Sequence, residues 1–514
     1  MRANVSPLFD DSALAALEQQ FRSSIRRLLF DLCDELDKLY RRPVRALRVP
    51  VGFFRAVGHA LKPESFAGWK VVGWIEELND LVYFLDLQVQ LRREEDPRGF
   101  AEQFQAECAE KFYEHSYQDE LFPSGEPDAA GLARRLDDVC VRLVRQVTQE
   151  ALFLEPGLPC AWAARMGRMA WVVPYDVGPN FERAELPGTI SIGLEGDYLE
   201  PRAPLRGLLG RPSCRVDLVI RPGGLALRIN HRLFPILTGG VLAAREWVHH
   251  PSCLVGPGGP TLGPVLRYGR DREPRHVVPA PRGLAKRVAG ALAVIESAWP
   301  EGARLLTVLT TRIVPLKARG VVSFSYRHRP GLSFINCFDR DNLDLIDDLI
   351  HENSHHHLNL LLRKAVLYHK DRNQEIFYSP WRRSLRPLRG ILHATFTFTM
   401  GAILFERLST WAKGDNSTLT EKQILRARFR CLEEVDSVRY SLEDLEHARN
   451  LGWLTPAGWE LVSSLKREID KVETRIAPYE WAVMRSKHGR ELRRQRKKLA
   501  SARETYGPMR SGKI

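Results

Sequence analysis

The chain of 514 residues, 44% hydrophobic and 27% charged, has the composition of an ordinary soluble globular protein and material for two or three domains with their own cores. Its net charge of +13 is concentrated at the C-terminus: residues 485–514 hold eleven Lys and Arg against two acids. This argues for one charged tail and against a basic nucleic-acid-binding face with interleaved aromatics. No uninterrupted apolar run of about 18 residues marks a membrane span.

Cys33, Cys108, Cys140, Cys160, Cys214, Cys253, Cys337 and Cys431 include no C-x-x-C pair, the pattern of reduced thiols. The first twenty residues lack a basic segment followed by an apolar core, so no signal peptide is read and a cytoplasmic location is expected.

In chain order, residues 1–165 read as a helical N-terminal region. Ser12 is a candidate N-cap, followed by Leu14, Leu17, Phe21, Ile25, Leu28, Leu32, Leu36 and Leu39 at spacings of three and four. A second helix is expected over Trp69–Arg93, and two more near 98–115 and 128–152, separated by a Pro/Gly linker at Pro123–Pro127. Residues 166–281 form a β-rich middle segment, with short strands at Met169–Val173, Thr189–Gly193, Cys214–Ile220 and Leu225–Asn230. Arg221–Gly224 reads as a tight turn. The Gly/Pro-rich stretch Pro251–Pro264 lacks the Gly-Lys-Ser/Thr ending of a phosphate loop.

From 282 to 485 the pattern becomes helical again. A helix over Leu284–Ala298 stops at Pro300; strands are expected at Leu305–Pro315, Val321–Tyr326 and Gly331–Asn336. Asp339 or Asp341 then caps a long helix whose apolar face is Leu343, Ile346, Ile350, Leu358, Leu361 and Leu362. The expected class is α+β, mainly α, and residues 486–514 are expected to be a solvated or frayed basic tail, with an acidic partner as the other use of such a charge run.

That capped helix holds His351-Glu352-Asn353-Ser354-His355. Residues i and i+4 share a helical face, so both imidazoles can reach one metal ion, with Glu352 beside them to handle protons. The pattern alone arises by chance in roughly two or three such chains per hundred, so its context decides. A catalytic metal normally takes a third protein ligand. Glu375 has a spacing used by zinc peptidases, His369 lies at the helix end, and His393 lies in an apolar segment that Pro387 can start as a helix. Arg389 and Arg386, one and two turns before His393, suit the carboxylates of an anionic cosubstrate.

Gly331-Leu332-Ser333, Asp348 to Leu361 around the His-Glu motif, Ser379-Pro380-Trp381-Arg382, Arg386-Pro387-Leu388-x-Gly390-x-x-His393 and Leu454-Thr455-Pro456-Ala457-Gly458 are together similar to the HExxH-motif peptide-modification family. The resemblance covers 282–478. It implies an iron(II)- and 2-oxoglutarate-dependent enzyme that hydroxylates β-carbons in a ribosomally made precursor peptide. It further implies His351, His355 and His393 as the metal ligands, Arg386 on the distal carboxylate of 2-oxoglutarate with Arg389 and Arg382 as the other choices, and Glu352 in a supporting role. The residues also admit a zinc metallopeptidase with Glu352 as base and Glu375 or His393 as third ligand, or a non-catalytic peptide-binding scaffold. Nothing in residues 1–280 names the substrate, and oligomeric state is left open.

Overall fold

The computed structural model describes residues 11–47, 51–61, 63–93, 282–369, 374–412 and 419–508, with short stretches between 132 and 143 and between 188 and 277. The expected helix near 98–115, the linker at 123–127, the strand Met169–Val173 and most of 128–152 lie outside the described residues. The protein is mainly helical, with small sheets, as composition and periodicity imply. The chain divides into two compact units, one formed by 22–253 and 263–279, the other by 1–21, 254–262 and 280–514.

The first unit contains most of α1 (Asp11–Lys38), then α2 (Arg41–Ala46), α3 (Val51–Ala60) and α4 (Trp69–Arg93). The expected stripe of α1 is buried from Leu14 to Leu36, Leu28 only partly, while Leu39 lies past the helix end and is 71% exposed. Helix α4 begins and ends at the expected residues. It is buried almost all round, with Trp74, Ile75, Leu78, Leu81, Phe84 and Leu85 inaccessible, which marks a central helix. Strands β1 (Gly188–Glu195), β2 (Ser213–Arg221), β3 (Gly224–Ile229) and β4 (Arg232–Pro235) form an antiparallel meander in that order. Arg221 pairs with Gly224, so the expected turn is a two-residue hairpin connection.

In the second unit, after the short strands β5 (Cys253–Leu254) and β6 (Thr261–Leu262), come α5 (Arg282–Ala298), α6 (Pro300–Leu309), β7 (Arg312–Leu316), β8 (Phe324–Ser325) and β9 (Leu332–Asn336). The motif helix α7 (Asn342–Lys364) follows. A hairpin, β10 (Phe377–Ser379) and β11 (Ser384–Arg386), leads to α8 (Leu388–Trp411), α9 (Glu421–Asn450), α10 (Pro456–Arg485) and α11 (His488–Tyr506). Strands β6, β7, β9 and β8 neighbour one another in that order, β7 parallel to β9 and β8 antiparallel to it.

Three expectations are corrected. The strand at Leu305–Pro315 is half helix: Pro300 starts α6, whose Leu305, Leu306 and Leu309 share a buried face, and only Arg312–Leu316 is extended. The strand at Val321–Tyr326 shrinks to Phe324–Ser325. The tail is not frayed over its described residues. Residues 488–506 form a helix that buries Gly489, Leu492 and Ala502 and is tied by Arg496 to Asp436 and by Arg503 to Asp444. Two of its basic residues, Arg496 and Arg503, therefore have folded partners far away in sequence.

One helix among the described residues, α8, is long and apolar enough to cross a membrane by length and composition, but 72% of its apolar window is buried within the protein. It is the core helix against which α7 and α9 pack.

Candidate metal centre

Helix α7 starts with a capping box. The Asp341 carboxylate accepts from the Leu343 and Asp344 amides at 2.9 and 3.0 Å, and the Asp344 carboxylate accepts from the Asp341 amide at 3.1 Å. Of the two expected caps, Asp341 fills the role. Asp339 instead accepts from the Gly320 amide and the Asn336 side chain. The Arg426 guanidinium, from α9, holds both capping carboxylates.

Each face of α7 has a separate task. Asp348 accepts from the Ser323 hydroxyl at 2.7 Å and pairs with Arg340, anchoring the helix to the sheet side. His356 meets the Ser333 hydroxyl at 3.1 Å, and Asn353 accepts from Thr310 at 2.8 Å. His357 is buried against Phe396. The two extra histidines after the motif are thus core residues facing away from the 351/355 side. Burial holds the pKa of each down at about 4, so both stay neutral.

His351, Glu352 and His355 bring one ligand atom each to within 4.8 Å of one another. The two imidazoles are part-exposed, their ring centres 5.0 Å apart, whereas Glu352 is 2% exposed. From α8, His393 places its ring centre 6.2 Å from that of His355. It lies beside the tight cluster, not within it. Glu375 and His369 are exposed and outside the cluster.

The helix carrying His393 contains the strand-like run Thr395-Phe396-Thr397-Phe398-Thr399. It is nonetheless helical: Phe396 is buried, and the three Thr hydroxyls are satisfied by carbonyls within the helix, at Ile391, His393 and Thr395. Tertiary packing overrides the local β preference there. Pro387 sits at its N-cap and Gly390 gives room for Arg386. A Cβ at Gly390 would lie 3.4 Å from Arg386 Nε, so the guanidinium folds back over the first turn. The hairpin before it turns through Pro380–Arg383, with Arg383 at φ +54°. That turn sends Trp381 to stack on Phe398 at 4.3 Å, and Phe398 in turn touches the His351 ring at 5.0 Å.

All three site histidines are held in their neutral, metal-binding form. Burial lowers His393 to about 4, with Arg389 and Arg327 adding to it. Burial, then His351, His393 and His356, hold His355 well below its ordinary value. Burial also lowers His351, against the pull of Asp347 and with the help of Arg430 and Arg382. Four arginines from different segments thus act on the charge of these imidazoles: Arg382 in the hairpin turn and Arg430 in α9 on His351, and Arg389 in α8 and Arg327 in the loop after β8 on His393. Sequence reasoning missed Arg327, because only the fold brings that loop beside α8.

Glu352 has the opposite character. Burial raises its carboxyl to about 8; its Oε2 has no hydrogen-bond partner among the described residues, and the Ser325 hydroxyl faces it without completing a hydrogen bond. A buried orphaned oxygen beside two neutral imidazoles is the setting a cation would satisfy, so the donor set fits a divalent metal.

The remaining stretch of the resemblance, Leu454–Gly458, locks the chain that leaves α7. Thr455 caps α10 and donates to the Val366 carbonyl, while Tyr368 pairs with Leu454. Gly458 is obligatory by space: a Cβ there would lie 1.9 Å from the Leu367 carbonyl oxygen.

No family model matches the chain, and no curated protein matches it significantly. The function has to be argued from the site.

Proposed function

We propose that the protein is an iron(II)- and 2-oxoglutarate-dependent oxygenase that hydroxylates a residue, at its β-carbon, in a ribosomally made precursor peptide. The observation that carries this reading is the approach of His393, from a second helix, to the His351/His355 pair, with arginines of several segments near enough to act on the charge of these rings. Two histidines and a glutamate suffice for hydrolysis, but arginines around them suit a dianionic cosubstrate.

His351, His355 and His393 would hold the metal. Ferrous iron, when bound, supplies the coupled oxidation of 2-oxoglutarate to succinate and carbon dioxide, one atom of dioxygen entering succinate and the other a C–H bond of the peptide. The chain's own residues bind, orient and shield. Their neutral imidazoles offer lone pairs without first losing a proton. Arg389, whose charge acts on His393, and Arg386, folded over Gly390, are the candidates for the distal carboxylate. Arg382 stands on the His351 side. Trp381 and Phe398 form an apolar wall that keeps water from that flank. Glu352, deep behind the imidazoles, holds a proton in the metal-free protein and supports the site from its buried side.

One observation favours a zinc peptidase as the second reading: Glu352 lies closer to the histidine pair than His393 does. The deciding experiment is anaerobic loading with iron(II), followed by air, 2-oxoglutarate and a candidate peptide. Succinate formation with a mass gain of one oxygen in the peptide supports the oxygenase. Zinc-dependent peptide cleavage without succinate overturns it.

A further inference from the structure

A cleft of about 360 Å³ opens between the β10–β11 turn, α8, α9 and α11. That volume is in the range of ligand-binding pockets. Phe398 belongs both to its lining and to the flank of His351, so the cleft and the candidate metal centre share one wall. The stacked Trp381 and Phe398 give it an apolar floor.

The cleft carries an acid cluster against its floor and cations at its exposed rim, where Glu491 also stands. Towards the floor, Glu433 and Glu434 share Arg430, at 3.9 and 3.2 Å, and Glu434 also accepts from the Trp381 indole at 2.9 Å. At the rim stand Arg383 on the hairpin turn and Arg494 and Lys498, one turn apart on α11; all three are exposed. None of the three forms an ion pair with a described residue. Lys498 is held below its ordinary value by Arg383 and Arg494, the effect of cations gathered at one rim. Arg383 is also the one non-glycine residue, among those described, with a left-handed backbone, a conformation that costs about 1 kcal/mol or more and clusters at functional positions.

We propose that this cleft binds a carboxylate-bearing segment of the peptide substrate, with Asp or Glu side chains meeting Arg383, Arg494 and Lys498 and an apolar side chain on Trp381 and Phe398. The assignment of the ligand as substrate rests on the oxygenase reading; the site itself does not. A nucleic-acid strand fits less well, because its continuous phosphates would run past Glu433 and Glu491 on the same walls. Isolated carboxylates on a peptide avoid that repulsion.

The test is fluorescence polarisation of the full-length protein with a fluorescein-labelled peptide alternating Glu, Gly and Leu. We expect saturable binding that weakens with salt. Arg494→Glu/Lys498→Glu should weaken it about tenfold or more. Arg493→Glu/Lys497→Glu makes the same charge change on the same helix outside the cleft lining, and should leave affinity within about twofold. The binding assay is run without added metal, so a failed oxygenase assay and a failed cleft are told apart. Equal binding of the Gln counterpart peptide, equal loss in both double variants, tighter binding of oligothymidylate, or no binding at all overturns the proposal.

Discussion

At the scale of single residues, His393 carries more of the argument than the motif histidines, because it alone separates three-histidine from two-histidine chemistry. Removing its imidazole should lower iron(II) affinity by at least about tenfold, read by anaerobic competition with a chromophoric chelator. His357→Ala serves as the contrast. It should cost about 2 kcal/mol or more of stability by opening a cavity against Phe396, yet leave metal affinity unchanged. If His393→Ala binds iron as tightly as the parent, the third ligand is another group, and Glu352 becomes the first choice. Glu434 offers a second residue-level test. Although burial opposes its charge, Arg430 is held above its ordinary value by Asp347, Glu434 and Glu433, while burial raises Glu434 to about 8 in spite of Arg430. Both hold because one guanidinium is divided among three carboxylates. Between its ordinary value near 4.5 and about 8, the folded protein keeps a proton on Glu434 that the unfolded chain has released. Its contribution must therefore make stability fall as pH rises through that window and level off above it. Glu434→Gln should flatten that slope in urea unfolding, and should abolish the matching titration of Trp381 fluorescence; a slope unchanged by the substitution would place the proton elsewhere.

At the scale of elements, the sequence was legible where local chemistry and burial agree. Helix α7 announces itself through Asp341 and its box with Asp344, and α4 through an apolar pattern that starts at Trp69 and stops at Arg93. Helix α6 was not legible, because the apolar run from Leu305 to Thr310 suits either period, and only packing of Leu305, Leu306 and Leu309 decides it. The candidate site shows the same division. His351, Glu352, His355 and His393 stand in recognisable spacing, whereas Arg327, Ser325 and the Trp381–Phe398 stack are neighbours only in the fold. The Leu454–Gly458 segment gives an element-level prediction. Gly458→Ala drives a methyl group into the Leu367 carbonyl and should cost about 3 kcal/mol or more, against about 1 kcal/mol for Thr455→Ala, which removes a cap. Thermal unfolding that ranks the two the other way would mean the contact relaxes freely.

At the scale of the whole molecule, the C-terminal residues test whether their positive charge is surface decoration or part of the folded unit. By composition they resemble a solvated tail, since residues 485–514 carry eleven basic groups and few apolar ones. In the structure, Leu492 and Ala502 of α11 are buried, Arg496 spans Asp436 and Glu480, and Arg503 both pairs with Asp444, whose side chain is 1% exposed, and donates to the Tyr440 carbonyl. The cationic face of Arg503 lies on the Tyr440 ring, and Tyr506 stacks on Tyr378, which belongs to the hairpin that carries Trp381. Ending the chain at Arg485 would thus leave Asp444 buried without its partner, a loss of about 3–5 kcal/mol for that pair alone, and would strip one wall from the cleft beside His351. A mere tail would leave the guanidinium unfolding midpoint in place. The fold requires instead that the midpoint drop and that the Trp381 environment change with it. Arg503→Met, which removes the charge while keeping the length of the chain, should reproduce most of the loss, and Asp444→Asn should recover part of it, since the penalty then comes from an uncompensated buried carboxylate and not from missing helix.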